Sequence, residues 1–96
     1  MRESKVEQEL KKKVERLGGL YLKFNSPGTN GVPDRIVLLK GQMYFVELKA
    51  PGKKPRKLQS FIHDEIRSQG FEVHIIDNLE DAAEFIKGIG GDRHEV

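Results

Sequence analysis

The sequence predicts a single α/β domain in the order α-β-β-β-α-β-α, a mixed sheet flanked by helices on both sides. Apolar residues recur at helical spacing near the start of the chain. Two short apolar runs meet at Lys40-Gly41, and a strand–helix–strand crossover unit follows them.

Val6, Leu10, Val14 and Leu17 form one face of a helix over 3–17, which Gly18-Gly19 stops. Leu20-Tyr21-Leu22-Lys23-Phe24 is a short strand. Residues 25–33 are dense in turn formers and longer than most connections, which favours a binding element just ahead of Asp34. Strands follow at 34–39 and 43–49, both apolar on both faces, as suits central strands covered on each side. The second helix is expected over 55–69, with Pro55 in its first turn, Gly70 beyond its end, and Leu58, Phe61, Ile62 and Ile66 as its buried face. A strand at 71–76 and a helix at 79–88, capped by Asp77 or Asn78, complete the order. The crossover makes strands 43–49 and 71–76 parallel. Residues 1–90 are expected to form one domain, the glycine-rich stretch from Gly88 to fray, and 91–96 to be a flexible tail.

A chain of 96 residues allows one modest core, which self-association would help. The net charge is only +2, but the basic residues cluster at Lys11-Lys12-Lys13 and at Lys53-Lys54 with Arg56-Lys57, and clusters matter most when the partner is a phosphate backbone. With no cysteine there is no disulfide, thiolate zinc site or thiol nucleophile. The charged start and the lack of a long apolar stretch give the expectation of a cytoplasmic protein with no membrane partner, in a bacterial host if the chain is phage-derived. No Gly-Lys-Ser/Thr follows Gly28 and Gly31, so no nucleotide cofactor is expected. His63, His74 and His94 lack metal-ligand spacing and are expected to be structural or exposed.

The chemistry concentrates between Gly31 and Lys49. Period-2 geometry places Glu47 and Lys49 on one face of a strand, about 7 Å apart along it. Asp34 falls directly across from Glu47 only if residue 39 pairs with 42, leaving Lys40-Gly41 as a two-residue turn. An odd-length turn would send the carboxylates to opposite faces. Two ionised carboxylates about 4 Å apart repel by roughly 4 kcal/mol at an effective dielectric near 20. Lys49 supplies one counter-charge, and a divalent cation supplies two. Oxygen donors without cysteine favour Mg²⁺ or Mn²⁺ over zinc. Such an ion polarises a phosphoryl oxygen and acidifies a water, while Lys49 orients that water or balances the developing charge. The chemistry is phosphodiester hydrolysis without a covalent enzyme intermediate. An isolated Glu-x-Lys is an ordinary surface pair. Joined to Gly-x-Pro-Asp at hairpin spacing, it points to a site.

Glu7 on the first helix, Gly18-Gly19, Gly31-Val32-Pro33-Asp34, Glu47-Leu48-Lys49 and Gln59 resemble the pattern of the VRR-NUC branch of the PD-(D/E)xK nuclease superfamily. The stretch Phe45 to Lys53 is especially similar, and the likeness spans roughly residues 5–80. The resemblance implies a PD-(D/E)xK restriction-endonuclease-like core and a Mg²⁺- or Mn²⁺-dependent DNA nuclease. In it Asp34 and Glu47 would bind metal, with the Leu48 backbone carbonyl, and Lys49 would be catalytic. Glu7 would reach the metal directly or through water, and its place on the apolar helical face permits this. From sequence alone Gln59 is as readily a solvated side chain as a partner of Lys49, and the resemblance tips it toward function. Stand-alone members are similar to phage-type enzymes acting on branched DNA such as four-way Holliday junctions. Symmetric cutting there needs two sites, hence the expectation of a homodimer. The alternatives are a nuclease of flaps, ends or single strands with the same site, and a non-catalytic DNA-binding module on the same scaffold. Lys53, Lys54, Arg56 and Lys57 lie where a phosphate backbone would pass, and equally suit a solvated turn. Lys23, Ser26 and Arg35 are further candidates for phosphate contact.

Overall fold

The computed structural model describes residues 4–91. Helix α1 (Lys5–Arg16) leads to β1 (Leu20–Lys23), β2 (Arg35–Leu39), β3 (Gln42–Leu48), α2 (Lys57–Ser68), β4 (Glu72–Ile76) and α3 (Leu79–Ile86). A short π-helical turn, Lys87–Gly91, continues α3. Ser4 starts α1, its side chain accepting the Glu7 backbone N–H at 3.0 Å and so satisfying one open donor of the first turn. After α1 the chain passes so close to β2 that a Cβ on Gly19 would stand 2.8 Å from the Leu38 carbonyl oxygen.

The sheet runs β1-β2-β3-β4, with the first two pairings antiparallel and β3 parallel to β4. Leu39 pairs with Gln42. Lys40-Gly41 is therefore the expected two-residue turn, with φ positive at both positions (52° and 78°) as a type I′ hairpin requires.

This register sorts the sheet into two unlike faces. Val37, Tyr44, Val46 and Ile76 lie on one, where α1 and α3 press Leu10, Val14, Ala82 and Phe85 onto them as a closed core. The other face carries Ile36, Phe45, Glu47 and Val73. There α2 packs toward β4, and the Phe24, Phe45 and Phe71 rings follow one another at centroid spacings of 5.7 and 6.1 Å. Leu20 and Leu22 of β1 remain exposed on that side. The central strands are thus sealed on one face and half-covered on the other.

Three local expectations change. Helix α2 begins at Lys57 rather than 55, because Gln59 Oε1 accepts the Arg56 N–H at 2.9 Å and makes Arg56 the cap. Its sheet-facing side is rotated: Leu58 and Phe61 are 51% and 59% exposed, Ile62 and Ile66 are half-buried, and His63 is buried at 1%. The stretch from Gly88 does not fray at once. Ile89 joins the core, and Gly90 packs against Leu17 and Leu39. The tail expected at 92–96 lies outside the described residues. Of the two candidate caps for α3, Asn78 serves, accepting the Asp81 N–H at 2.7 Å.

Replacing Ile89 by Ala is expected to cost about 2–4 kcal/mol in urea unfolding, the usual penalty for emptying a buried aliphatic site. An unchanged unfolding midpoint would mean that the glycine-rich segment carries no core weight.

Candidate active site

The start of β2 and the end of β3 come together at one end of the hairpin. Arg35 pairs with Val46, so one step further out Asp34 lies across from Glu47 on the half-covered face. The Asp34 carbonyl accepts the Phe24 N–H at 2.9 Å, and its Oδ1 accepts the Leu48 N–H at 3.3 Å. The second contact ties the carboxyl to the strand that carries its partner. Glu47 is buried. Its Oε2 lies 3.2 Å from Lys49 Nζ and accepts Gln59 Nε2 at 3.2 Å, and Lys49 Nζ donates to Gln59 Oε1 at 2.9 Å. Glu47, Lys49 and Gln59 close a small ring of charge-assisted bonds. Gln59 serves two purposes, since the same Oε1 caps α2.

Burial, then the charge of Glu47, pushes the Asp34 carboxyl up to about 6, against the opposing pull of the Leu48 N–H and Arg35.

Glu7 lines the same cleft as Asp34, Leu48 and Lys49. Its Oε2 is held from the other face of the sheet by Arg35 Nε and by the Tyr21 hydroxyl, which donates at 2.9 Å. Burial and then Glu7 push the Tyr21 hydroxyl far above its ordinary value, so it stays a donor. Arg35 also donates to the Asp34 carbonyl at 2.9 Å. Burial of its guanidinium is outweighed by Glu7, Asp34 and Tyr21, which hold it charged. Arg35, expected among the DNA-contacting cations, is instead turned inward with its side chain 15% exposed. Strand parity carries the signal: a residue next to Asp34 must point to the opposite face, toward α1.

Lys53, Lys54, Arg56, Lys57 and Lys23 are exposed and Ser26 is half-buried. His63 is the residue near the site that spacing alone did not single out. It sits 4.0 Å from Glu47 Oε1.

Among the described residues no three His, Asp or Glu side chains converge as a metal cage. Two carboxylates and a backbone carbonyl make an oxygen-only set. It fits an ion that keeps most of its waters, since Asp34 and Glu47 face each other across the hairpin as hard oxygen donors.

This sheet, with Pro-Asp opening one hairpin strand and Glu-x-Lys closing the other, defines an α/β nuclease of the restriction-endonuclease-like class. No protein-family model matches the chain. It is 43% identical over 81 residues to the protein named "Putative nuclease p44" of Acyrthosiphon pisum secondary endosymbiont phage 1, covering 83% of this chain and 87% of that one. A solved VRR_NUC domain matches it with a TM-score of 0.80 at 31% identity, over 88% of this chain and 92% of the other. The chain belongs to the VRR-NUC family of nucleases.

The raised Asp34 value has a defined consequence for the metal-free protein. The folded state holds this proton more tightly than the unfolded chain, whose value is 3.8, so the stabilisation is complete below that pH and is lost as pH rises through about 6. Subtracting the Asp34→Asn urea-unfolding profile from that of the unmodified chain is therefore expected to leave a stability that declines across this window. A flat difference would mean that burial and Glu47 together do not raise Asp34.

Proposed function

We propose that this VRR-NUC nuclease is a Mg²⁺- or Mn²⁺-dependent endonuclease that hydrolyses phosphodiester bonds in branched DNA, with four-way junctions as its substrate and a homodimer as its working form. The observation that carries the proposal is the facing of Asp34 and Glu47 with Lys49 and Gln59 drawn onto Glu47. Asp34, Glu47 and the Leu48 carbonyl would hold the cation, with Glu7 acting through water because Arg35 and Tyr21 already engage it. A divalent cation there supplies Lewis acidity to a phosphoryl oxygen and makes a water acidic enough to attack.

The chain's own residues do the rest. Lys49, shared between Glu47 and Gln59, presents an ammonium whose free hydrogen can orient the attacking water or meet charge gathering on the phosphate. Gln59 fixes Lys49 from a helix, a stiffer support than a loop. Lys53, Lys54, Arg56 and Lys57, exposed just past β3, would follow a phosphate backbone without reading bases. Lys23, at the end of β1, and Ser26, in the loop after it, would be further phosphate contacts. Pairing of two copies is supported by the open side of the sheet, where Leu20, Leu22 and Phe71 are exposed. Apolar residues in such number on a small domain suit a contact surface.

Junction, flap, linear duplex and single-stranded DNA, each incubated with Mg²⁺ or Mn²⁺ beside Glu47→Ala, test the proposal. Cleavage of the junction by the unmodified protein alone is expected, with Glu47→Ala folded but at least about a thousandfold slower, the scale of losing a principal electrostatic group. Preferred cutting of flaps, ends or single strands would move the substrate class. Binding without cleavage by both proteins would leave only a DNA-binding module. Sedimentation of a monomer at working concentrations would remove the homodimer.

A further inference from the structure

The two oxygens of Glu47 stand in unlike surroundings. Oε2 meets Gln59 and Lys49. Oε1 is buried and has no hydrogen-bond partner among the described residues, and the same holds for His63 Nε2. These two unpaired atoms lie 4.0 Å apart, and the His63 and Glu47 side chains are 1% and 5% exposed.

Buried polar atoms are nearly always paired, because stripping them of water without replacement is costly. A gap of 4.0 Å is too long for a hydrogen bond, yet a modest side-chain rotation or one water closes it. Helix geometry explains why they meet. Gln59 and His63 are four residues apart in α2, so they stack on one face. One reaches Oε2 and the other faces Oε1 of the same carboxylate.

We propose that His63 donates its Nε2 hydrogen to Glu47 Oε1, directly or across one water, and is a positioning residue that fixes the carboxylate plane from the side opposite Lys49 and Gln59. An ionised carboxylate only accepts, so the proton must sit on Nε2. Burial first, then the nearby Arg67 and Lys49 charges, lowers the pKa of the imidazole against the opposing pull of Asp64. The inference rests on the proposed metal site only in that a fixed plane matters for cation binding. The pairing itself does not depend on it.

The test combines two measurements on the full chain. ¹⁵N NMR of the metal-free protein reads the His63 tautomer, and Mn²⁺ titration followed by EPR reads the affinity of the unmodified chain, His63→Gln and His63→Leu. The Nε2-protonated tautomer is expected. His63→Leu, which keeps bulk without a donor, should weaken Mn²⁺ binding about 10- to 100-fold, and His63→Gln, whose amide donor has similar reach, should recover most of it. The Nδ1-protonated tautomer overturns the pairing, even if His63→Leu does not fold. His63→Leu binding Mn²⁺ as tightly as the unmodified chain, or a folded His63→Gln binding no better than His63→Leu, overturns the positioning role. If the unmodified chain binds no Mn²⁺, the metal site falls and with it the positioning role, while the tautomer still judges the His63–Glu47 pair.

Discussion

The site depends on the parity of one turn. Because Lys40-Gly41 contributes two residues to the loop, Leu39 meets Gln42, and every pair further up the hairpin keeps its face until Asp34 stands across from Glu47. The turn conformation is itself demanding, since Lys40 holds φ at 52° without being glycine. The twist of the flanking strands favours that conformation, and the adjacent Gly41 at 78° takes the second positive position without side-chain strain. One residue more or less in the loop would leave the strands able to pair and the carboxylates unable to meet.

The same parity divides the charges between two faces. Asp34 and Glu47 share one, with Lys49 and Gln59. Arg35, next in sequence to Asp34, goes to the other and binds Glu7 and Tyr21. The charge of Glu7 still presses on Asp34, but that of Arg35 outweighs it. Of the nearby charges, Glu7 and Arg35 offset each other. Asp34 and Glu47 against Lys49 leave an excess of one negative charge at the end of the hairpin. Arg35 also holds the Asp34 carbonyl, so the arrangement that quiets Glu7 anchors the backbone of its neighbour.

Much of this was legible from spacing. The helical face Val6, Leu10, Val14 and Leu17 packs as its period demands, and Glu7 lies buried among it. The hairpin register and the parallel β3–β4 pair follow from turn length and crossover connection alone. What spacing could not supply was the rotation of α2. Its apolar residues define an arc, but the sheet beneath decides which part of that arc turns inward. Here that sheet carries a buried carboxylate, so the polar Gln59 and His63 are drawn in, and the most hydrophobic side chains do not all win. Ile89 escaped for a similar reason: glycines on both sides mark it as tail, whereas one aliphatic side chain over the hairpin is enough to hold the segment.

Building the site and exposing the surface are consequences of one rotation. Turning α2 so that Gln59 and His63 reach Glu47 swings Leu58 and Phe61 outward, to 51% and 59% exposure. A rotation that buried both would strengthen the small core, but it would withdraw the groups that hold Glu47. The domain therefore keeps one face sealed by α1 and α3, rigid enough to fix the strands. On the other face it gives up apolar burial for polar contacts to a single carboxylate. The surplus apolar surface lies on the same side of the sheet as the chemistry. Pairing two copies there would recover the lost burial and bring two acidic pairs into one particle, joining the stability of the domain to the symmetry of its proposed substrate.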